Sequence, residues 1–184
     1  EPLPELGVDP FEALDEVGTV LDHSIAQARP RYLAYVGSSG LEIGAVADLL
    51  AHSYDVNLAV DARAASRLED QTAEWLATFL GYPAAGGWFT SGGTVSNLSA
   101  LAAARERALP GSRRRGRGGL TSALYCSAEA HYSVSRAAEL LGLGSDAVRD
   151  IPVDPYTRQM RTPLLREAIE TDLATGVVPV AVVA

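Results

Sequence analysis

Apolar residues recur at helical spacing through the first part of the chain. Phe11, Leu14, Val17, Leu21 and Ile25 step by three or four positions and so line one face of a helix. Asp9-Pro10 stands at its head, a capping carboxylate followed by a residue whose fixed φ suits a first helical turn. Arg29-Pro30 predicts its end, because the residue before a proline is driven out of helical conformation. A second apolar repeat, Leu41, Val46, Leu49 and Leu50, follows Ser38-Ser39-Gly40. A third runs from about Ala64 to Leu80 and carries Leu68, Trp75, Leu76 and Phe79. Gly81 sits where a helix-terminal glycine belongs, and Pro83 forbids continuation.

Further along, the period changes. Short apolar runs alternate with helical segments. Gly87-Trp88-Phe89-Thr90 precedes a helix near Val95–Leu109, and Ala123-Leu124-Tyr125-Cys126 precedes one near Tyr132–Leu141. A run at Val148–Val153 is followed by a helix near Pro163–Ala174, with Thr162 as its expected N-cap, and then by the apolar run Val177–Val183. This rhythm predicts an α/β fold, a mostly parallel sheet covered by helices on both faces, behind an N-terminal helical arm. No internal repeat is visible. The terminal run reads as a buried parallel strand with nothing after it to cover the sheet. The chain is therefore expected to be the front part of a larger unit, or to be completed by another chain.

Composition narrows the function classes. The 184 residues hold 15 basic and 23 acidic side chains, a net charge of −8, and 47% are hydrophobic, enough for a sizeable core. The acidic balance argues against a nucleic-acid partner, which needs a basic face. No apolar run approaches the roughly 20 residues that cross a bilayer, so no membrane role is expected. Glu1, Glu5 and Asp9 stand where a secretory signal carries basic residues, and Cys126 alone excludes an internal disulfide framework. A reducing, cytoplasmic setting is the expectation. Every one of the 15 basic residues is arginine; there is no lysine. Arg113-Arg114-Arg115-Gly116-Arg117-Gly118-Gly119 reads as a solvated mobile loop, with contact to a phosphate or a partner as the alternative.

The candidate chemistry begins at Trp88-Phe89-Thr90-Ser91-Gly92-Gly93-Thr94-Val95-Ser96-Asn97. An expected strand runs into a Ser-Gly-Gly-Thr turn, and a helix rich in Ala and Leu follows at once. The first N–H groups of a helix lack partners and the macrodipole adds partial positive charge, so this junction suits an anion. Gly92 and Gly93 admit a phosphate close to the backbone, and the Ser91 and Thr94 hydroxyls can donate to it. A plain strand-to-helix turn has the same spacing, which does not separate the two readings. Neither a G-x-x-x-x-G-K-[ST] nor a G-x-G-x-x-G pattern is present. His131 is the second element. It follows the strand around Leu124 by a short link and opens a helix, so it is expected on the same carboxyl edge of the sheet, where ligands bind in open α/β folds. A surface or capping histidine is the other reading. His23 and His52 lack metal-ligand spacing and read as structural, so no metal is expected. Ser91 and His131 do not make a hydrolase triad, since the G-x-S-x-G elbow is missing.

Several separated motifs together resemble one family. Arg31-Tyr32-Leu33-Ala34-Tyr35-Val36, Thr90-Ser91-Gly92-Gly93-Thr94-Val95-Ser96-Asn97-Leu98 and Ala130-His131-Tyr132-Ser133-Val134 are similar, in order and spacing, to the group II pyridoxal-phosphate-dependent decarboxylases. Asp154 to Arg161 and Gly176 to Ala184 continue the likeness. These enzymes include the aromatic-amino-acid, glutamate, cysteine-sulfinate and diaminobutyrate decarboxylases. The resemblance implies fold type I, with residues 1–52 as a helical arm and dimerisation segment and 53–184 as the first half of the large cofactor-binding domain. It implies pyridoxal 5'-phosphate as cofactor, with Gly92, Gly93 and Thr94, and Ser91 beside them, at its phosphate. It implies that His131 stacks on the cofactor ring and holds the substrate adduct, and that Tyr35 and Ser38 contribute to the substrate pocket. The implied reaction converts an L-amino acid to an amine and carbon dioxide. An aldehyde-forming oxidative deaminase, a transaminase, or a non-catalytic subunit or pseudoenzyme are the alternatives. The implied partners are the amino acid, the remainder of the enzyme in the same or a separate chain, and a second copy in a homodimer. The family holds its cofactor through a lysine and pairs the pyridinium nitrogen with an aspartate; both are expected beyond Ala184. Asp61-Ala62-Arg63-Ala64-Ala65-Ser66 departs from the Ser-Pro-Ala usual at that place, so the resemblance names no substrate.

Overall fold

The computed structural model describes residues 7–25, 32–33, 40–60, 62–82 and 86–184. The chain divides into two compact units, Glu1–Gln71 and Thr72–Ala184. The first holds α1 (Pro10–Asp22), α2 (Glu42–Tyr54) and the start of α3 (Ala64–Phe79). Asp9 caps α1 as expected, its Oδ1 accepting from the N–H groups of Phe11 at 2.8 Å and Glu12 at 3.3 Å. α1 stops at Asp22, well before Arg29-Pro30. Its last turn tightens, with the N–H groups of His23 and Ser24 turning to carbonyls three residues back, and His23 Nδ1 bonds the Thr19 carbonyl. Those local bonds end the helix before the proline can. Neither α1 nor α2 buries a residue, and the stripe Phe11, Leu14, Val17 and Leu21 is exposed.

α3 runs on into the second unit and closes as the Gly81 position predicts. The N–H of Tyr82 reaches the Ala77 carbonyl and that of Gly81 reaches Thr78, with Gly81 at φ +65°. This paired arrangement satisfies the end carbonyls and needs a residue tolerant of the left-handed region.

The second unit is a three-stranded sheet of β1 (Ser122–Ser127), β2 (Val148–Ile151) and β3 (Val178–Val183). All pairings are parallel and the order is β2-β1-β3, so the expected α/β class is what forms. β1 is central, and Ala123, Leu124 and Tyr125 are wholly buried. Alternation along it divides the core. Leu124 and Cys126 meet α4 (Gly93–Ala108) and α6 (Ser133–Leu140) through Leu101, Val134, Ala137 and Ala138. Ala123 and Tyr125 face α7 (Thr162–Ala174) through Leu164, Leu165, Ala168 and Ile169. The β1–β3 register slips between Ala123 and Leu124, beside Pro179, whose nitrogen has no hydrogen for the ladder.

A buried polar knot fastens α7 to the sheet. The hydroxyl of Tyr125 donates to Asp172 Oδ2 at 2.8 Å, while Arg149 Nε and Nη2 reach the two carboxylate oxygens at 3.2 and 3.1 Å. Burial and the neighbouring carboxylate push the Tyr125 hydroxyl's pKa upward.

Four further expectations are corrected. Gly87–Thr90 is not a strand: Trp88 and Phe89 are exposed, and no described strand pairs with the run. β2 ends at Ile151, since Pro152 cannot donate, and Val153 makes only an isolated antiparallel bridge to Met160. Thr162 is the first helical residue of α7, not its cap; Arg161 holds the cap position without a side-chain bond. The arginine-rich stretch is not loop throughout, because Ser112–Arg115 forms the single turn α5. Glu106 organises that turn, accepting from the N–H groups of Gly111 and Arg113 and from the Ser112 hydroxyl. These donors hold its carboxyl below the ordinary glutamate range.

Candidate active site

α4 lies antiparallel to β3. Its C-terminal residues Ala108 and Leu109 line a groove with Val178 at the start of that strand, whereas Asn97 lines a cleft with Val183 and Ala184 at the strand's end. The N-terminus of α4 therefore opens on the carboxyl edge of the sheet, the edge that β1 also reaches before the link to His131.

The mouth of α4 is open. Gly92 occupies the N-cap at φ +131°, ψ +167°, a region essentially restricted to glycine, and no side chain caps the helix. A Cβ built on Gly92 or on Gly93 meets no heavy atom within 4 Å. Among the described residues, the N–H groups of Gly93 and Thr94 find no acceptor and the hydroxyls of Ser91 and Thr94 make no hydrogen bond. Two neighbours brace the turn from behind. Thr90 Oγ1 donates to the Gly92 carbonyl at 3.1 Å and lies 2.6 Å from Ser96 Oγ, while the N–H groups of Val95 and Ser96 close on that same carbonyl. Unbonded donors at a helix N-terminus, with space in front of them, suit a phosphate.

His131 sits in the link between β1 and α6, exposed, against a cleft of about 420 Å³ lined by Asn97, Ser127, Glu129, Val134 and Val183. Its Nδ1 lies 2.9 Å from Ser133 Oγ and 3.3 Å from the Ser133 N–H. Ser133 is wholly buried and its hydroxyl accepts from Asn97 Nδ2 at 2.8 Å. Asn97 lies four residues into α4 from Gly93, about 6 Å along the axis at 1.5 Å per residue. The rings of His131 and Tyr132 meet at 4.3 Å, tilted by 40°. Glu129, the charged residue lining the cleft, is ion-paired with Arg158 from the turn after β2.

Ser91, Gly92, Gly93, Thr94 and His131 thus share one edge of one unit. Tyr35 and Ser38 lie outside the described residues. Thr90, Ser96, Asn97 and Ser133 form a supporting set that the sequence reading passed over. The one signal among them is the polar side chains of Asn97 and Ser133 at inward positions of α4 and α6; Thr90 and Ser96 are exposed and offered none. Among the described residues no group of three or more His, Cys, Asp or Glu is arranged to hold a metal, and no helix is long and apolar enough to cross a membrane. Cys126 takes no part. It is buried on β1, its Sγ 3.6 Å from Asp150 Oδ1, and burial together with that carboxylate pushes its pKa up to about 11.

Comparison with known proteins identifies a family. Residues 9–184 match the family described as the pyridoxal-dependent decarboxylase conserved domain. Aromatic-L-amino-acid decarboxylase of Bacillus atrophaeus is 32% identical over 188 residues, taking in 100% of this chain and 38% of the relative. L-2,4-diaminobutyrate decarboxylase of Rhizobium meliloti is 33% identical over 188 residues, with 100% and 37% covered. The crystal structure of mouse CSAD in its apo form superposes with a TM-score of 0.88 at 30% identity, over 98% of this chain and 39% of that one. The chain spans less than two fifths of the length of these relatives.

Proposed function

Because the chain belongs to the pyridoxal-dependent decarboxylase family, whose fold is type I, we propose that the complete enzyme converts an L-amino acid to its amine and carbon dioxide with pyridoxal 5'-phosphate. The observation that carries this reading is the open, donor-lined mouth of α4 on the same sheet edge as an exposed, hydrogen-bonded imidazole.

The residues present fit the cofactor. Gly93 and Thr94 would hold its phosphate through their backbone N–H groups, with the Ser91 and Thr94 hydroxyls as further donors, and the absence of a Cβ at Gly92 and Gly93 leaves the space such a group requires. When bound, the cofactor's electron-poor ring accepts the electron pair released as the carboxylate departs. The work of this chain is orientation. The helix mouth anchors one end of a flat molecule, and His131 offers a ring face at the other. Ser133 and the α6 backbone hold the imidazole, and Glu129 with Arg158 borders the cleft where the amino acid enters. With no lysine in the chain, the covalent tether used by the family would come from outside Glu1–Ala184. Tyr35 and Ser38 are assigned to the substrate pocket. The exposed apolar stripes of α1 and α2 are assigned to a surface covered by a second copy or by the rest of the enzyme, with 1–52 as the arm.

The test is incubation of the complete enzyme, reconstituted with pyridoxal 5'-phosphate, with a panel of L-amino acids, following carbon dioxide and amine. Release of both from one or more substrates is expected. Hydrogen peroxide with aldehyde, or a keto acid, would reassign the reaction within the fold. A purified protein with no cofactor absorbance and no turnover would mark a non-catalytic subunit.

A further inference from the structure

We propose that Asn97 and Ser133 are positioning residues for His131. They hold its imidazole in the Nε2–H tautomer and tie the ring to the helix whose N-terminus faces the cofactor phosphate. The importance of that ring rests on the function proposed above; the hydrogen-bond chain itself does not.

The direction of the chain follows from counting protons. The backbone N–H of Ser133 can only donate, and it points at His131 Nδ1 from 3.3 Å. A protonated Nδ1 would set two hydrogens against each other. Nδ1 is therefore the acceptor, and the Ser133 hydroxyl, 2.9 Å away, is free to donate to it as well. That hydroxyl keeps lone pairs for the Asn97 amide, which donates from 2.8 Å. Each link thereby polarises the next, and reversing any one would leave a donor facing a donor. The ring proton is left on Nε2.

Three consequences follow for the site. Two donors on one nitrogen restrict rotation of an otherwise exposed ring, so its face is presented in a single orientation. Nε2, which bonds no described residue, is left for the bound molecule. Finally, Asn97 stands one turn inside α4 from Gly93, so one rigid helix sets both the phosphate anchor and the ring. A misplacement of about 1 Å between such groups costs on the order of a hundredfold in rate.

The experiment uses the complete enzyme with ¹⁵N-labelled histidine, with and without pyridoxal 5'-phosphate. His131 is identified by the signal lost in His131→Asn. Wild type is expected to show an unprotonated Nδ1 and a protonated Nε2. In Asn97→Asp the carboxylate can only accept, so it draws the Ser133 hydroxyl toward itself. Nδ1 then keeps only the backbone N–H of Ser133, so the ring should gain rotational freedom and its ¹⁵N signals should broaden, and kcat should fall about tenfold with cofactor affinity within about twofold of wild type. Ser133→Thr keeps the hydroxyl and should retain the wild-type tautomer and kcat within about threefold. A protonated Nδ1 in wild type, or unchanged ring signals and kcat in Asn97→Asp, overturns the proposal. Should Asn97→Asp not fold, Ser133→Ala is read instead: broadened ring signals and a lowered kcat are expected, and unchanged signals with unchanged kcat overturn it. Ring signals that respond as described in a protein that decarboxylates nothing would sink the proposed function alone.

Discussion

Replacing Gly93 with alanine separates the cofactor site from the fold. Gly93 is the first residue of α4, its φ lies outside the left-handed region, and an added Cβ meets no heavy atom within 4 Å. The protein therefore has room for the methyl group, and alanine in place of glycine in a helix contributes up to about 1 kcal/mol of stability. The same methyl would take up part of the open space at the α4 mouth. If a phosphate sits there, it loses at least one charge-assisted hydrogen bond, worth about 1.5–3 kcal/mol. At about 1.4 kcal/mol per decade, the cofactor dissociation constant should rise roughly ten- to a hundredfold. The expected protein thus melts no lower than wild type when free of cofactor, yet binds cofactor far more weakly. Gly93→Val should weaken binding further by crowding the same space. Gly92→Ala should lose both properties, because its φ of +131° imposes about 1–3 kcal/mol of backbone strain on any L-residue. Absorbance titration of the cofactor-free enzyme with pyridoxal 5'-phosphate, beside thermal unfolding of the same preparations, measures both quantities. A Gly93→Ala enzyme that binds the cofactor within twofold of wild type would refute the assignment of the α4 mouth.

Other expectations are as direct. His131→Ala should reduce turnover by at least about a hundredfold while leaving the melting temperature nearly unchanged, since the exposed ring serves a bound molecule; activity within a few fold of wild type would remove His131 from the site. Tyr125→Phe should destabilise by about 1 kcal/mol, because Asp172 keeps Arg149, whereas Asp172→Ala should cost about 3 kcal/mol by stranding the buried hydroxyl and the guanidinium. Hydrogen exchange in the peptide spanning 122–127 reads both, and equal protection in the two variants would show that the knot is not what fastens α7. Cys126 should resist alkylation at pH 8 until the protein unfolds. Its folded pKa of about 11 exceeds the unfolded value, so its contribution is complete below about pH 8.5 and is lost as pH rises toward 11; rapid labelling of the native enzyme would contradict this. Charge removal at Arg113 and Arg114, both exposed on α5, should change neither activity nor stability by more than about 0.5 kcal/mol.

What could be read from the chain divides by the range over which each feature is decided. Asp9 and Gly81 were legible because a cap or a left-handed terminus is settled within five residues. β1 was legible because an unbroken apolar run of strand length, flanked by helical segments, has one economical place, the middle of a parallel sheet. Gly87–Thr90 carries equal apolar character and failed as a strand, because strandness belongs to a pair and no local pattern supplies the neighbour. The end of α1 failed for the opposite reason: bonds within its final turn acted before the proline whose rule was applied. The site shows the same division. The Gly92-Gly93 turn and the placement of His131 after β1 follow from local chemistry and sheet handedness, and so could be named, while Tyr35 and Ser38 came from resemblance alone. The bonds that complete the arrangement join residues 36 positions apart in Asn97–Ser133 and 47 apart in Tyr125–Asp172. Such contacts leave no period along the sequence. A polar residue on the inward face of an otherwise apolar helix is the trace they do leave, and it states that a partner exists without saying where. Each such residue is therefore half of an unlocated hydrogen bond, since burial without a partner would destabilise the helix that carries it.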